Sequence, residues 1–73
     1  MKNIDLIRKF TQGATDGVGS NLYIAGNDLV NYTTIIASRV PGGVRLNARR
    51  YSMTTTRVQN VIRKECNVIS EYC

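Results

Sequence analysis

The sequence predicts one small α+β domain over residues 1–73, with an N-terminal helix, a three-stranded antiparallel β-meander and a C-terminal amphipathic helix (αβββα). Three observations predict this order: helical spacing of apolar residues near both ends, two-residue alternation in the middle, and glycine and proline turns between the alternating segments. The chain is 42% hydrophobic and 21% charged, as is typical of a folded domain. A chain of this length buries only roughly 60% of its unfolded surface, so a homodimer or another partner would complete a thin core.

The first predicted helix begins at Asn3 and ends near Gly13. Its apolar side chains, Ile4, Leu6, Ile7 and Phe10, fall within one helical stripe. Residues 11–20 hold three glycines and few large apolar groups, which predicts a flexible loop.

Three strands are predicted in the middle of the chain. In residues 22–25, Leu22 and Ile24 alternate with Tyr23 and Ala25, which is the period of a strand with one buried face. A turn is predicted to follow at residues 26–28. Residues 29–40 are rich in β-branched and aromatic side chains, which favours one long extended segment bent near Asn31. Residues 44–51 alternate again and form the third predicted strand.

The second hairpin turns at residues 41–43, a Pro-Gly-Gly sequence. If this turn places Val40 opposite Val44, then Arg39 lies opposite Arg45 on one surface of the sheet. Like charges in that position are unfavourable unless an anion lies over them, so this register favours an anion-binding face.

The closing helix is predicted to start with a cap at Ser52 or at one of the threonines at 54–56 and to extend to Cys73. Cys66 and Cys73 would lie about 10 Å apart along such a helix, too far for a disulfide, so both are predicted to be reduced. Glu65 falls within the apolar arc of this helix, where an unpaired carboxylate would be costly to bury. We therefore expect it to pair with an arginine from the sheet, Arg50.

The positive charge is concentrated in one segment. The three cations and three acids in residues 1–38 cancel, whereas residues 39–64 contain seven cations and no acid, and the rest of the chain has two acids, which gives the net charge of +5. A segment of this kind predicts an anionic partner.

The candidate binding residues fall on two surfaces. The predicted hairpin face contains Arg39, Arg45, Asn47 and Arg49, and the start and polar side of the closing helix contain Thr55, Thr56, Arg57, Asn60, Arg63 and Lys64. Guanidinium groups suit bidentate contacts with phosphates or carboxylates, and a helix start offers free amides to an anion. The alternatives are a solvated face of long side chains and ordinary helix capping by the hydroxyls. The tyrosines could stack on bases or form the edges of the core.

The residue inventory does not favour catalysis. The chain has no histidine, only five scattered carboxylates, and no cysteine pattern for a metal. We therefore predict a non-enzymatic protein with no cofactor and no metal. No apolar run approaches the roughly 18 residues of a membrane-spanning helix, so we expect a cytoplasmic protein without a membrane partner.

Two segments resemble a group of small phage and prophage proteins: LVNYTTIIASR at residues 29–39 and LNARRYSMTTTRVQNVIR at residues 46–63. One departure from the group's pattern is Val58, where a polar residue or histidine is more common. The resemblance implies a phage-encoded protein that acts in the host cytoplasm.

Small phage proteins are often inhibitors of host defence, including anti-CRISPR proteins, or accessory nucleic-acid binders. The resemblance therefore implies a stoichiometric inhibitor of a CRISPR effector or another host defence ribonucleoprotein. The alternative is a regulatory or accessory protein that binds DNA or RNA phosphates, and a virion or assembly component is a third option.

Overall fold

The computed structural model describes residues 1–72, in which two helices pack on one face of a six-stranded sheet. The elements in chain order are α1 (Asn3–Thr11), β1 (Asp16–Val18), β2 (Leu22–Ala25), β3 (Asp28–Asn31), β4 (Thr34–Val40), β5 (Gly43–Asn47), α2 (Met53–Glu65) and β6 (Val68–Tyr72). The strands lie side by side in sequence order. Neighbours are antiparallel from β1 to β5, whereas β5 and β6 are parallel because α2 forms the crossover between them. The predicted α+β class and N-terminal helix are confirmed, but the three-stranded meander is wrong.

The first additional strand, β1, lies in the segment predicted to be a flexible loop. It pairs with β2, and Gly17 lies opposite Ile24. A Cβ atom at Gly17 would lie 2.8 Å from Leu6 Cδ1, so glycine is needed where this strand approaches α1. Only one residue of β1, Val18, has a large apolar side chain, which explains why alternation gave no strand signal.

The long extended segment predicted at residues 29–40 is two strands, β3 and β4, joined by a tight turn. Tyr32 in this turn has a φ of 57°, a backbone conformation more usual for glycine or asparagine. The β-branched residues continue on both sides of the turn, so composition alone did not reveal it. The pairing also contains a bulge. Leu29 lies opposite Ala37 and the next residue, Val30, lies opposite Ile35, so β4 has one extra residue, Ile36, at this point.

The second hairpin has a two-residue turn, Pro41–Gly42, instead of the predicted three-residue turn. Val40 lies opposite Gly43, and Gly42 has a φ of 93°, as the second central residue of a type II turn requires. The predicted register is therefore wrong by one residue. Arg39 lies opposite the buried Val44, and Arg45 lies opposite Ser38, so the two arginines do not face each other.

The closing helix ends earlier than predicted. Cys66 has extended backbone angles, and β6 follows it instead of further helical turns. The apolar residues of this segment fitted a helical arc, but Val68 and Ile69 are β-branched and equally suited to a strand. Cys66 has a buried free thiol, and burial raises the pKa of this thiol. Cys73 lies outside the described residues, so the predicted distance between the two cysteines stays a prediction.

One hydrophobic core lies between the helices and the sheet. Its largest fully buried side chains are Leu6, Ile7, Phe10, Leu22, Leu29, Ile36, Leu46 and Ile62. An ion pair between Arg8 of α1 and Glu65 of α2 crosses the two helices at the edge of this core. Glu65 is therefore paired with an arginine, as expected, but the predicted partner Arg50 is wrong.

Neither of the two helices in residues 1–72 has the length and apolar character needed to cross a membrane.

The packing of β6 on β5 requires glycine at position 43. In Gly43→Ala, the new Cβ would meet Asn67 O and would lie 2.9 Å from Ile69 Cγ2. We expect this variant to lower the free energy of unfolding by about 1–3 kcal/mol, because backbone would have to move. Urea denaturation measures the change. Ser70→Ala, at an exposed position of β6, is the control and should change stability by less than about 0.5 kcal/mol; equal stability of the two variants would contradict the packing argument.

Candidate functional site

Arg39, the first predicted partner-binding arginine, is engaged inside the molecule. Its Nη1 atom donates to the carbonyl oxygens of Phe10 and Ala14, both at 2.6 Å, and its Nη2 atom donates to Gly26 O at 2.6 Å. The guanidinium also lies over the Phe10 ring, 4.7 Å from its centroid. Arg39 therefore joins the end of α1 to the β2–β3 turn, and its role in binding stays a prediction.

Asn47, another predicted binding residue, is buried at the end of β5. Its Nδ2 atom donates to Ile35 O at 3.2 Å and to Tyr51 Oη at 2.8 Å. Its Oδ1 atom accepts from the Arg49 backbone N–H at 3.0 Å. All three contacts fix the path of the chain between β5 and α2, so this side chain is not available to a partner.

Thr55 is also buried and belongs to the same connection between α2 and the sheet. Its Oγ1 atom donates to Asn31 Oδ1 at 2.9 Å, and its backbone N–H donates to Ser52 Oγ at 3.2 Å. Ser52 is thus the N-cap of α2, which confirms one of the predicted cap positions. Gln59, one turn further along, donates to the backbone oxygens of Asn47 and Arg49 at 2.7 and 2.9 Å.

We call these buried contacts the α2 anchor, defined by the side chains of Asn31, Asn47, Ser52, Thr55 and Gln59. All five lie within or directly before the two segments that carry the phage-protein resemblance. Sequence reasoning missed Gln59 and assigned Asn47 and Thr55 to binding, although polar residues inside an otherwise apolar pattern can equally serve buried hydrogen bonds. Much of the polar pattern in these segments is therefore explained by the fold.

The Arg63 side chain is exposed, but its guanidinium group is hydrogen-bonded to other side chains of the same chain. Its Nη2 atom lies 3.0 Å from Glu71 Oε1 of β6, and its Nη1 atom donates to Asn60 Oδ1 at 3.0 Å. The hydrogen bond from Arg63 lowers the pKa of the Glu71 carboxyl. The Arg63–Glu71 pair therefore adds to the free energy of unfolding at pH values above the pKa that the carboxyl has in the unfolded chain. This contribution is lost as the pH falls through the lower folded-state pKa. Arg63 thus connects α2 to β6.

Three of the remaining predicted cations, Arg49, Arg57 and Lys64, form with Arg50 an exposed group that extends from just before α2 to its last turn. We call this group the basic surface, defined by Arg49, Arg50, Arg57 and Lys64, with Thr56 and Asn60 between the charges. Within residues 1–72, carboxylates pair only with Arg8 and Arg63, so none of these four cations has an acidic partner.

An open pocket of about 400 Å³ lies beside the first turn of α2, within the basic surface. Its lining residues are Arg50, Tyr51, Ser52, Met53, Thr56 and Arg57. Two guanidinium groups therefore border a concavity that also presents an aromatic ring and a thioether. Arg49 lies next to the pocket, with its guanidinium carbon 5.9 Å from the centroid of the Tyr51 ring.

The cations continue from this pocket along α2. Arg57, Asn60 and Lys64 are separated by three and four residues and share one side of the helix. At 1.5 Å per residue, Arg57 and Lys64 lie about 10 Å apart along the axis. The basic surface can therefore contact several anionic groups at once.

Arg45 lies apart from the basic surface, on the sheet face that the helices leave uncovered. Its guanidinium carbon is 4.5 Å from the centroid of the Tyr72 ring, and its neighbour in β4 is Ser38. The structure thus separates the three predicted hairpin arginines. Arg39 is half-buried between α1 and the β2–β3 turn, Arg45 lies on the open side of the sheet, and Arg49 lies beside Tyr51, whose ring lines the pocket.

In the part of the chain that the structure describes, no three acidic, histidine or cysteine side chains come together as a metal site would require. Comparisons with protein-family models, curated proteins and solved structures gave no match. The resemblance to phage and prophage proteins therefore stays a prediction.

Two adjacent threonines test the α2 anchor. Thr55→Val removes the hydroxyl that donates to the buried Asn31 Oδ1, and we expect it to lower the free energy of unfolding by about 1–3 kcal/mol. Thr54→Val makes the same chemical change at an exposed neighbour and should alter stability by less than about 0.5 kcal/mol. Thermal and urea denaturation of both variants give the comparison, and equal losses would contradict the structural role of Thr55.

Replacement of two arginines tests whether Arg39 stabilises the fold more than Arg45 does. Arg39→Met leaves the carbonyls of Phe10, Ala14 and Gly26 without their charged donor, so we expect a loss of about 1.5–3 kcal/mol in the free energy of unfolding. Arg45→Met loses only an exposed contact with Tyr72, and its expected loss is below about 1 kcal/mol. Denaturation curves that rank the two variants in the opposite order would show that Arg39 does not hold α1 to the sheet.

Proposed function

We propose that this protein is a non-enzymatic nucleic-acid-binding protein that contacts the phosphate backbone through the basic surface. The observation that carries the proposal is the grouping of four exposed cations around one pocket and one side of α2, without an acidic partner in residues 1–72. Arg8, Arg39 and Arg63 have carboxylate or carbonyl partners within the fold, whereas the four cations of the basic surface have no acidic partner in residues 1–72.

The arrangement favours an extended polyanion over a single small anion. The phosphates of one DNA strand follow each other at about 3.4 Å along the helix axis. The distance of about 10 Å between Arg57 and Lys64 along α2 therefore corresponds to roughly three phosphate spacings. Arg49 and Arg50 extend the same charge beyond the start of the helix.

The groups around the pocket support binding instead of a chemical reaction. Its lining consists of guanidinium groups, hydroxyls, one phenol and one thioether. General acid–base catalysis and nucleophilic catalysis normally need an imidazole, a carboxylate or an activated thiol within reach, and the sequence contains no histidine at all.

Inhibition of a host defence ribonucleoprotein is a more specific version of this proposal and rests on the resemblance alone. Such an inhibitor could use the basic surface on guide RNA or on an acidic protein face of a CRISPR effector. A pull-down from host cells, with and without ribonuclease, would distinguish direct protein binding from binding through RNA.

Salt dependence tests the backbone contacts directly. Binding of a fluorescent DNA duplex, measured by anisotropy between 50 and about 200 mM salt, should weaken with a logarithmic slope of about −0.9 for each phosphate neutralised. Arg57→Met and Lys64→Met should each reduce the slope by about 1 and weaken binding to all sequences alike.

The control is Lys9→Met, which removes a cation near β1 at the opposite edge of the sheet. It should leave affinity and slope close to those of the unmodified protein. Binding that does not respond to salt, or an equal effect of all three variants, would contradict the proposed surface.

A further inference from the structure

The face of the sheet away from the helices carries an uncovered group of aromatic and aliphatic side chains. We call it the open sheet face, defined by Tyr23, Val30, Ile35, Arg45 and Tyr72. Tyr23, Ile35 and Tyr72 are 41%, 44% and 37% exposed, whereas Val30 is 5% exposed and yet lies outside the core cluster between helices and sheet. Aromatic rings that remain accessible on a flat sheet face are unusual for a domain with so small a core.

The strand register places these side chains in one row across the sheet. Tyr23 of β2 lies opposite Val30 of β3, which lies opposite Ile35 of β4. On β5, Asn47 donates to Ile35 O and pairs with Tyr72 of β6. The row therefore has a tyrosine near each end and an aliphatic centre. It crosses four strand spacings, or about 19 Å at 4.8 Å each.

Arg45 adds a positive charge beside this row. Its guanidinium lies over the Tyr72 ring, and it forms no ion pair with any carboxylate in residues 1–72. A cation stacked on a ring and left without an acidic partner can contact a phosphate while the neighbouring ring contacts a base.

The open sheet face also continues into the basic surface. Asn47 of β5, between Ile35 and Tyr72, donates to Tyr51 Oη, and the Tyr51 ring contacts the Arg49 guanidinium and lines the pocket. Tyr51 therefore links the pocket to the row of apolar side chains.

We propose that the open sheet face binds single-stranded nucleic acid, with unpaired bases stacked on Tyr23 and Tyr72 and a phosphate held by Arg45. This inference rests on the proposed function and names its ligand as a single strand. In a duplex the base faces are already stacked on each other, whereas unpaired bases can lie flat on exposed aromatic rings of a sheet. The observations favour this ligand over a second copy of the chain, because two copies placed face to face would bring their basic segments together.

The test compares two fluorescent oligonucleotides with equal numbers of phosphates, a single-stranded oligothymidine and a duplex hairpin. Tyr23→Leu and Tyr72→Leu should each weaken binding of the single strand by about 5- to 100-fold, because a flat stacking surface is lost. Tyr23→Phe and Tyr72→Phe keep the ring and should stay within about twofold. The duplex affinity and the salt slope should not change in any of the four variants, and circular dichroism checks that each variant is folded.

The outcomes separate this inference from the proposed function. Equal affinity for both oligonucleotides, with no effect of the leucine variants, would overturn the stacking role but leave backbone binding in place. No binding of either oligonucleotide by the folded protein would overturn both. A dimer in sedimentation experiments that dissociates in Tyr23→Leu would also overturn the inference, because it would assign the open sheet face to a second copy.

Discussion

The buried hydrogen bonds of the α2 anchor determine most of what the molecule presents to its surroundings. Thr55 and Gln59 attach the first two turns of α2 to Asn31 of β3 and to the chain that follows β5. Buried polar groups of this kind are costly when unpaired, so they allow essentially one placement of the helix. That placement sets the direction of the arginine side of α2, forms the pocket beside its first turn, and returns the chain parallel to β5. An apolar interface alone would tolerate sliding of the helix, whereas these contacts do not.

The charges follow from the same arrangement. Three arginines hold elements together: Arg8 between the helices, Arg39 between α1 and the β2–β3 turn, and Arg63 between α2 and β6. Each has carbonyl or carboxylate partners that offset part of the cost of restricting a long side chain. Among the described residues 1–72, the cations of the basic surface have no carboxylate partner, although their mutual repulsion is unfavourable. A charge count along the sequence combines the two groups, and only the contacts distinguish them.

Local patterns were sufficient for part of the fold and failed where long-range pairing decides the structure. The spacing of Leu6, Ile7 and Phe10 identified α1, and the serine and threonine cluster identified the start of α2. The turn at Tyr32 was missed because β-branched residues continue on both sides of it, although its pairing is local. The strand at residues 68–72 was missed because its apolar residues also fit a helix and its partner β5 is distant in sequence. For the candidate site, the cationic segment was visible. An error of one residue in the hairpin register placed Arg39 and Arg45 on the same face of the sheet, whereas they lie on opposite faces.

The parallel pairing of β6 with β5 has a consequence for how the chain is made. During synthesis β5 emerges well before residues 68–72, and its outer edge then offers unpaired backbone groups next to the apolar side chains of Val44 and Leu46. An open edge of this kind can recruit strands from other chains. Only after α2 has docked can β6 reach that edge, so the order of events is imposed by topology. Slow translation or a weakened helix attachment would therefore lengthen the time in which newly made molecules can aggregate, even if the finished fold were fully stable.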